Sequence, residues 1–156
     1  MADAAPYDRA GPVRMELDAL LVEDDPGDVA LVEDYFESFA VPGRLHMVPD
    51  GVAALAYLRR ENGYADAPVP DLILLDLNLP RMDGRQLLQI IKSDDSPWRT
   101  IPVIVFTTSA AAEDISHSYH DGANAYVTKP LELADFHHTL GKIHDFFGTV
   151  AARPHA

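Results

Sequence analysis

The sequence contains no cysteine. That excludes a disulfide framework and any cysteine-ligated metal centre, and it fits a reducing compartment, so the expected location is cytoplasmic. Long apolar runs are missing too. None approaches the ~20 residues that cross a bilayer, and the opening MADAAPYDRAGPVRMELD has no apolar stretch of the kind a secretory leader carries. Positive charge is scarce: 12 Lys and Arg stand against 25 Asp and Glu, a formal net charge of −13. The basic residues form only isolated pairs, Arg59-Arg60 and Arg81 with Arg85. A chain this acidic repels a phosphate backbone, so neither nucleic acid nor a membrane is expected as a partner. No internal repeat and no low-complexity segment is visible.

What is present is enough for one core. The chain has 156 residues and is 47% apolar, close to one average domain. The reading divides it into a flexible N-terminal segment (1–16), a globular domain (17–147) and a C-terminal tail (148–156).

Inside the domain, short apolar runs alternate with helical patterns. LDALLV reads as a buried strand. Asp25 then caps a helix that admits Pro26 in its first turn, with Val29, Val32, Phe36 and Phe39 at inward spacing. RLHMV is the second strand, and Asp50 caps the helix of DGVAALAYLRRE. LILLD is the third strand. MDGRQLLQIIK follows as a helix with Leu87, Leu88 and Ile91 inward. IPVIVFT is the fourth strand, AAAEDISHSYHDG a helix stopped by Gly122, and NAYVT the fifth strand. The last helix, about 131–147, carries Leu133, Phe136, Leu140, Ile143 and Phe147. Strands apolar throughout are strands covered on both faces. Five of them alternating with five helices predict an open, parallel α/β sheet.

Ligands of such sheets bind outside the carboxyl ends of the strands. At those ends the sequence places Glu23-Asp24-Asp25, Asp76, Thr107-Thr108, and Lys129 followed by Pro130. Carboxylates set side by side need a counter-charge, and a hard divalent cation supplies one. Mg2+ takes one or two carboxylates, keeps waters and accepts a phosphate oxygen. Asp24 and Asp76 are the expected direct ligands, with Glu23 acting through water and Asn78 offering a backbone carbonyl. Lys129 supplies a fixed positive charge and Thr107 a hydroxyl. Together they suit phosphoryl transfer onto a carboxylate, with Asp76 as nucleophile at the centre of the sheet.

The pieces LLVEDD, LILLDLNLPRMDG, PVIVFTTS and GANAYVTKP, spread over about 17–147, resemble the receiver domain of bacterial two-component response regulators. The resemblance implies the flavodoxin-like fold with strand order 2-1-3-4-5. It implies phosphorylation of Asp76 by a histidine kinase, an acidic pair at Glu23 and Asp24, and a metal-directed carbonyl at Asn78. Thr107 becomes the switch hydroxyl, Tyr126 the switch aromatic and Lys129 the phosphate-contacting lysine, and Lys129–Pro130 is implied to be a cis-peptide. Such a protein catalyses its own phosphotransfer and dephosphorylation and turns over no separate substrate. The wording of TTS and YHDGANAYVTKP, the long loops ENGYADAPVP and SDDSPWRT, and the lack of a following output domain are similar to the small regulators that partner phytochrome-type histidine kinases, here a bacteriophytochrome.

Two alternatives share part of the pattern. A phosphatase of the haloacid-dehalogenase type also uses a strand-end Asp on Mg2+, but its second acid falls at Asn78, which cannot protonate a leaving group. A degenerate receiver acting only as a binding module would not need the intact set of acids, Thr107 and Lys129. The remaining signals are weaker. His117, His120, His137 and His138 read as solvated surface. Phe136, Phe146 and Phe147 cannot share one helix face, so Phe146 is expected to be exposed, where it suits a homodimer through the last helices. Trp98 is expected to anchor its loop.

Overall fold

In the computed structural model, residues 16–39 and 42–154 are described. The expected flexible lead therefore lies, apart from Glu16, outside the described residues. Among those described, five parallel strands form one sheet in the order 2-1-3-4-5, and helices alternate with them. The elements are β1 (Leu17–Val22), α1 (Pro26–Ser38), β2 (Gly43–Val48), α2 (Gly51–Arg59), β3 (Leu72–Leu75), α3 (Gly84–Lys92), β4 (Val103–Thr107), α4 (Ala112–His120), β5 (Ala125–Thr128) and α5 (Leu133–Asp145). A π-helical turn, Phe146–Val150, continues α5. No helix among the described residues is long and apolar enough to cross a membrane.

The unbroken apolar runs of β1, β3 and β4 follow from a sheet covered on both sides. Leu20, Val22, Ile73, Leu75, Val103 and Val105 point to a core shared with Leu55, Leu87, Leu88 and Ile91 of α2 and α3. Leu17, Leu21, Leu72, Leu74, Ile104 and Phe106 point the other way, onto Val32 and Tyr35 of α1 and Phe136, Leu140 and Ile143 of α5. Successive strand residues alternate faces, so each central strand feeds both cores.

The expected caps hold. Asp25 accepts from the Gly27 N–H and Asp50 from the Ala53 N–H; Asp83, not singled out in the sequence, caps α3 by accepting from the Arg85 N–H. Two helix faces differ from expectation. On α1, Tyr35 takes the interior position one turn after Val32. Phe39 lies past the last helical residue, 52% exposed, and stacks on Tyr35 with ring centroids 4.8 Å apart. On α5, Leu133 is 55% exposed, because the first turn projects beyond the sheet before Phe136 reaches the core. Phe146 is exposed, as expected.

The Lys129–Pro130 bond, expected cis, is trans. Trans is the intrinsically preferred isomer by about 0.5–1 kcal/mol for a bond preceding proline. With it Lys129 already reaches its carboxylate partners.

At the foot of the sheet, Arg153 clasps the chain. It donates to the Glu16 carbonyl at 2.9 Å and pairs with Asp71 at 3.3 Å, and Asp71 in turn accepts from the Asp18 N–H at 2.9 Å. Sequence alone gave this tail no role. Trp98 is half-buried against the α2–α3 core. Its loop is held by Lys92, whose ammonium donates to the carbonyls of Arg99 and Ile101 at 2.9 and 2.8 Å.

Candidate functional site

The carboxyl ends of β1, β3, β4 and β5 meet at one rim. Each end is fixed by a ladder bond that outlasts the strand. Glu23 N–H donates to the Val48 carbonyl at 3.1 Å, Asp76 N–H to Val22 at 3.1 Å, and Lys129 N–H to Thr107 at 2.7 Å. The backbone under each polar side chain is therefore part of the sheet, not of a loose loop. Position is tight beneath Asp76 as well. A Cβ on Gly84 would lie 2.0 Å from the Asp76 carbonyl oxygen, so the first turn of α3 can press against the end of β3 only because residue 84 is glycine.

Lys129 is the hub. Its side chain is 4% exposed, and its ammonium donates to Glu23 Oε2, to Asp28 Oδ2 at 2.9 Å and to Asp76 Oδ2 at 3.1 Å. It also lies 5.9 Å from the centroid of the Phe106 ring. Burial alone would pull its pKa down. The hydrogen bonds it donates to Glu23 and Asp28, with the charges of Glu23 and Asp76, outweigh burial and raise it, so Lys129 remains an ammonium. Glu23 is pushed up to about 7 by burial, against the opposing hydrogen bonds from Lys129 and the Asp25 N–H. Both oxygens of Glu23 are engaged: Oε1 accepts from Asp25 N–H at 3.1 Å and Oε2 from Lys129.

Glu23, Asp24 and Asp76 offer ligand oxygens that all lie within 4.8 Å of one another. Asp24 is exposed while the other two are buried. Three hard oxygens at that spacing fit one divalent cation with room for water. Asp76 Oδ1 accepts from the Asn78 N–H at 3.3 Å, which places the Asn78 backbone beside the trio. Thr107 is fully buried at the end of β4, and among the described residues its Oγ1 has no hydrogen-bond partner. A buried hydroxyl left without a partner is costly, and here it belongs to the strand next to Asp76.

Tyr126 lies on β5, paired with Val105 of β4. Its hydroxyl donates to the Ser109 carbonyl at 2.7 Å, just beyond Thr107. Ser109 donates in turn to Asp114 at 2.6 Å, and Asp114 accepts from Arg85 at 2.9 Å.

The rim thus gathers Glu23, Asp24, Asp76 and Lys129, with Asn78, Thr107 and Tyr126 at its margins. Asp28 was missed by sequence reasoning: an acid in the first turn of a helix is what the helix dipole favours anyway. Among the described residues, no histidine joins the rim. His117, His120 and His138 are exposed, His137 pairs with Asp34 at 3.4 Å, and His144 is buried on α5.

The model of the response regulator receiver domain matches residues 19–141. Response regulator Rcp1 of Synechocystis sp. is 39% identical over 137 residues, spanning 88% of this chain and 92% of that protein. Among solved structures, the phosphorylated cyanobacterial phytochrome response regulator RcpA is 42% identical with a TM-score of 0.84, covering 90% of this chain and all (100%) of that one. The Mn2+-bound form of Rcp1 is 37% identical with a TM-score of 0.82, covering 89% of this chain and 99% of that one. With that match the haloacid-dehalogenase alternative falls away. The five-stranded order 2-1-3-4-5, the acidic rim and the matched span lead to one assignment: this chain belongs to the response regulator receiver family of two-component signalling.

Proposed function

We propose that the chain accepts a phosphoryl group on Asp76 from the phosphohistidine of a histidine kinase, and that this changes the surface its last helices present. One observation carries the reading. Lys129 already bonds Asp76 and Glu23 beside a three-carboxylate cation pocket, with the partnerless Thr107 hydroxyl on the adjoining strand.

In the transfer, a carboxylate oxygen of Asp76 forms a bond to phosphorus as the P–N bond to the imidazole breaks. The imidazole keeps the electron pair and takes up a proton. Asp24 and Asp76 would hold Mg2+ directly, Glu23 through water because both its oxygens are occupied, and Asn78 through its carbonyl. When bound, the cation neutralises charge on the phosphoryl oxygens. Lys129, already held beside Asp76, meets that charge from the other side. Thr107 gains its missing acceptor from a phosphoryl oxygen. Movement of Thr107 disturbs the adjoining Ser109 carbonyl and with it the bond from Tyr126, so the β4–α4 loop and β5 change together.

The kinase we infer is of the phytochrome type, in the cytoplasm. The support is the likeness to RcpA, a phytochrome response regulator. Phe146, 52% exposed at the end of α5, supports a homodimer through the last helices. The test is phosphotransfer: Asp76→Asn incubated with phosphorylated kinase and Mg2+ should take up no label. Label at the wild-type level would remove Asp76 as the acceptor.

A further inference from the structure

An ammonium has three N–H donors. On Lys129 all three are used, and by carboxylates of three different segments: Glu23 after β1, Asp28 in α1 and Asp76 after β3. Glu23 and Asp76 belong to the receiver pattern; Asp28 is the extra claimant. Its carboxylate differs from the others in access to water. The Asp28 side chain is 22% exposed, against 2% for Glu23 and 10% for Asp76. Losing the lysine would leave Glu23 as a buried, poorly solvated charge, whereas Asp28 can be rehydrated where it stands.

We propose that Asp28 is a positioning residue that competes with the phosphoryl group for Lys129. This rests on the phosphorylation reading above and concerns how the same site is regulated. In the resting state Asp28 draws one lysine donor toward α1. A phosphoryl group brings up to two negative charges and three acceptor oxygens, more than the single donor released by Asp76 can serve. The second donor comes from Asp28, the partner that gives it up most cheaply. Asp28 then remains as an unpaired anion beside a dianion. Both effects have one sign: Asp28 disfavours the phosphoryl-bound state, and its loss stabilises that state. The N-terminal turn of α1 is released by the same handover, so α1 and the phosphoryl group hold the lysine in alternation.

The test uses the full chain and beryllofluoride, a phosphoryl mimic, titrated calorimetrically at saturating Mg2+ after the Mg2+ affinity of each variant has been measured alone. Asp28→Asn should bind the mimic about two- to fivefold more tightly than wild type, the range expected for removing one partly exposed ion pair. Asp28→Glu, which restores the charge, should return toward wild type. Glu37→Gln removes a charge from an exposed site further along α1 and should leave the affinity unchanged. Unchanged or weaker binding by Asp28→Asn overturns the proposal, because a residue that only braces the lysine weakens binding when lost. Equal tightening in Glu37→Gln overturns it too, by assigning the effect to net charge. If wild type itself forms no adduct, the phosphorylation reading has failed and this inference falls with it.

Discussion

Tyr126 donates its hydroxyl to the backbone carbonyl of Ser109 at 2.7 Å, two residues beyond the fully buried Thr107. The bond ties β5 to the loop that any displacement of Thr107 must move. Tyr126→Phe removes one neutral hydrogen bond, worth about 1 kcal/mol. Hydrogen exchange of the amides at 108–111 should therefore quicken by about fivefold in the resting protein. Exchange at the wild-type rate would show that the phenol does not hold the loop.

Asp114 ties the same loop from the α4 side. The hydrogen bond from Ser109, then that from Arg85, holds its pKa below the usual carboxylate value, against a small opposing effect of burial. A carboxylate depressed in the folded state stabilises it above the unfolded pKa, and that contribution is lost as pH falls through the folded value. Carbon-detected titration should place Asp114 below ordinary aspartate. Ser109→Ala and Arg85→Gln should each move it up. No movement in either would break the assigned cause.

Asp24→Asn should separate metal affinity from resting stability. Asp24 is exposed, and it adds negative charge beside Glu23 and Asp76. Without divalent cation the variant should melt at or slightly above the wild-type temperature, since like-charge repulsion is relieved. In wild type, Mg2+ at 100 times its Kd adds about 2.7 kcal/mol. That increment should vanish in Asp24→Asn. An undiminished Mg2+-dependent rise would remove Asp24 from the ligand set.

Gly84→Ala tests the approach of α3 to Asp76. The added methyl would sit 2.0 Å from the Asp76 carbonyl oxygen and 2.8 Å from the Leu77 Cα. Backbone cannot yield as a flexible side chain does, so the cost should reach or exceed the ~1–3 kcal/mol of ordinary overpacking. Mg2+ affinity should fall with it, because the displaced segment carries Asp76, a proposed ligand. Denaturant melts and Mg2+ titrations check the two parts; wild-type values in both would contradict the packing.

Much of this was legible in sequence because the decisive signals were local. Leu72–Leu75 running into Asp76 marks a doubly covered strand and its functional end in five residues. Asp25 and Asp50 announce helix starts by side-chain chemistry that acts within three positions. What escaped depends on distance along the chain. Asp28 meets Lys129 across 101 residues, and nothing near Asp28 distinguishes it from an acid favoured by the helix dipole. Arg153 reaches Glu16 across 137 residues from a tail with no periodicity. Tyr35 displaced Phe39 from the inner face of α1 because helix length, and not spacing, decides which aromatic still faces the sheet. The cis-peptide expectation came from likeness to a family, and no residue near Lys129–Pro130 demanded it.

The Arg153 clasp gives the molecule a pole. It joins residue 16 to residue 153 at the start of β1, while Asp76 lies at the opposite end of the parallel strands. That end of the strands faces away from the acidic rim. A dye or a fused protein attached there would leave approach to the acidic rim open, and two such attachments would start out side by side.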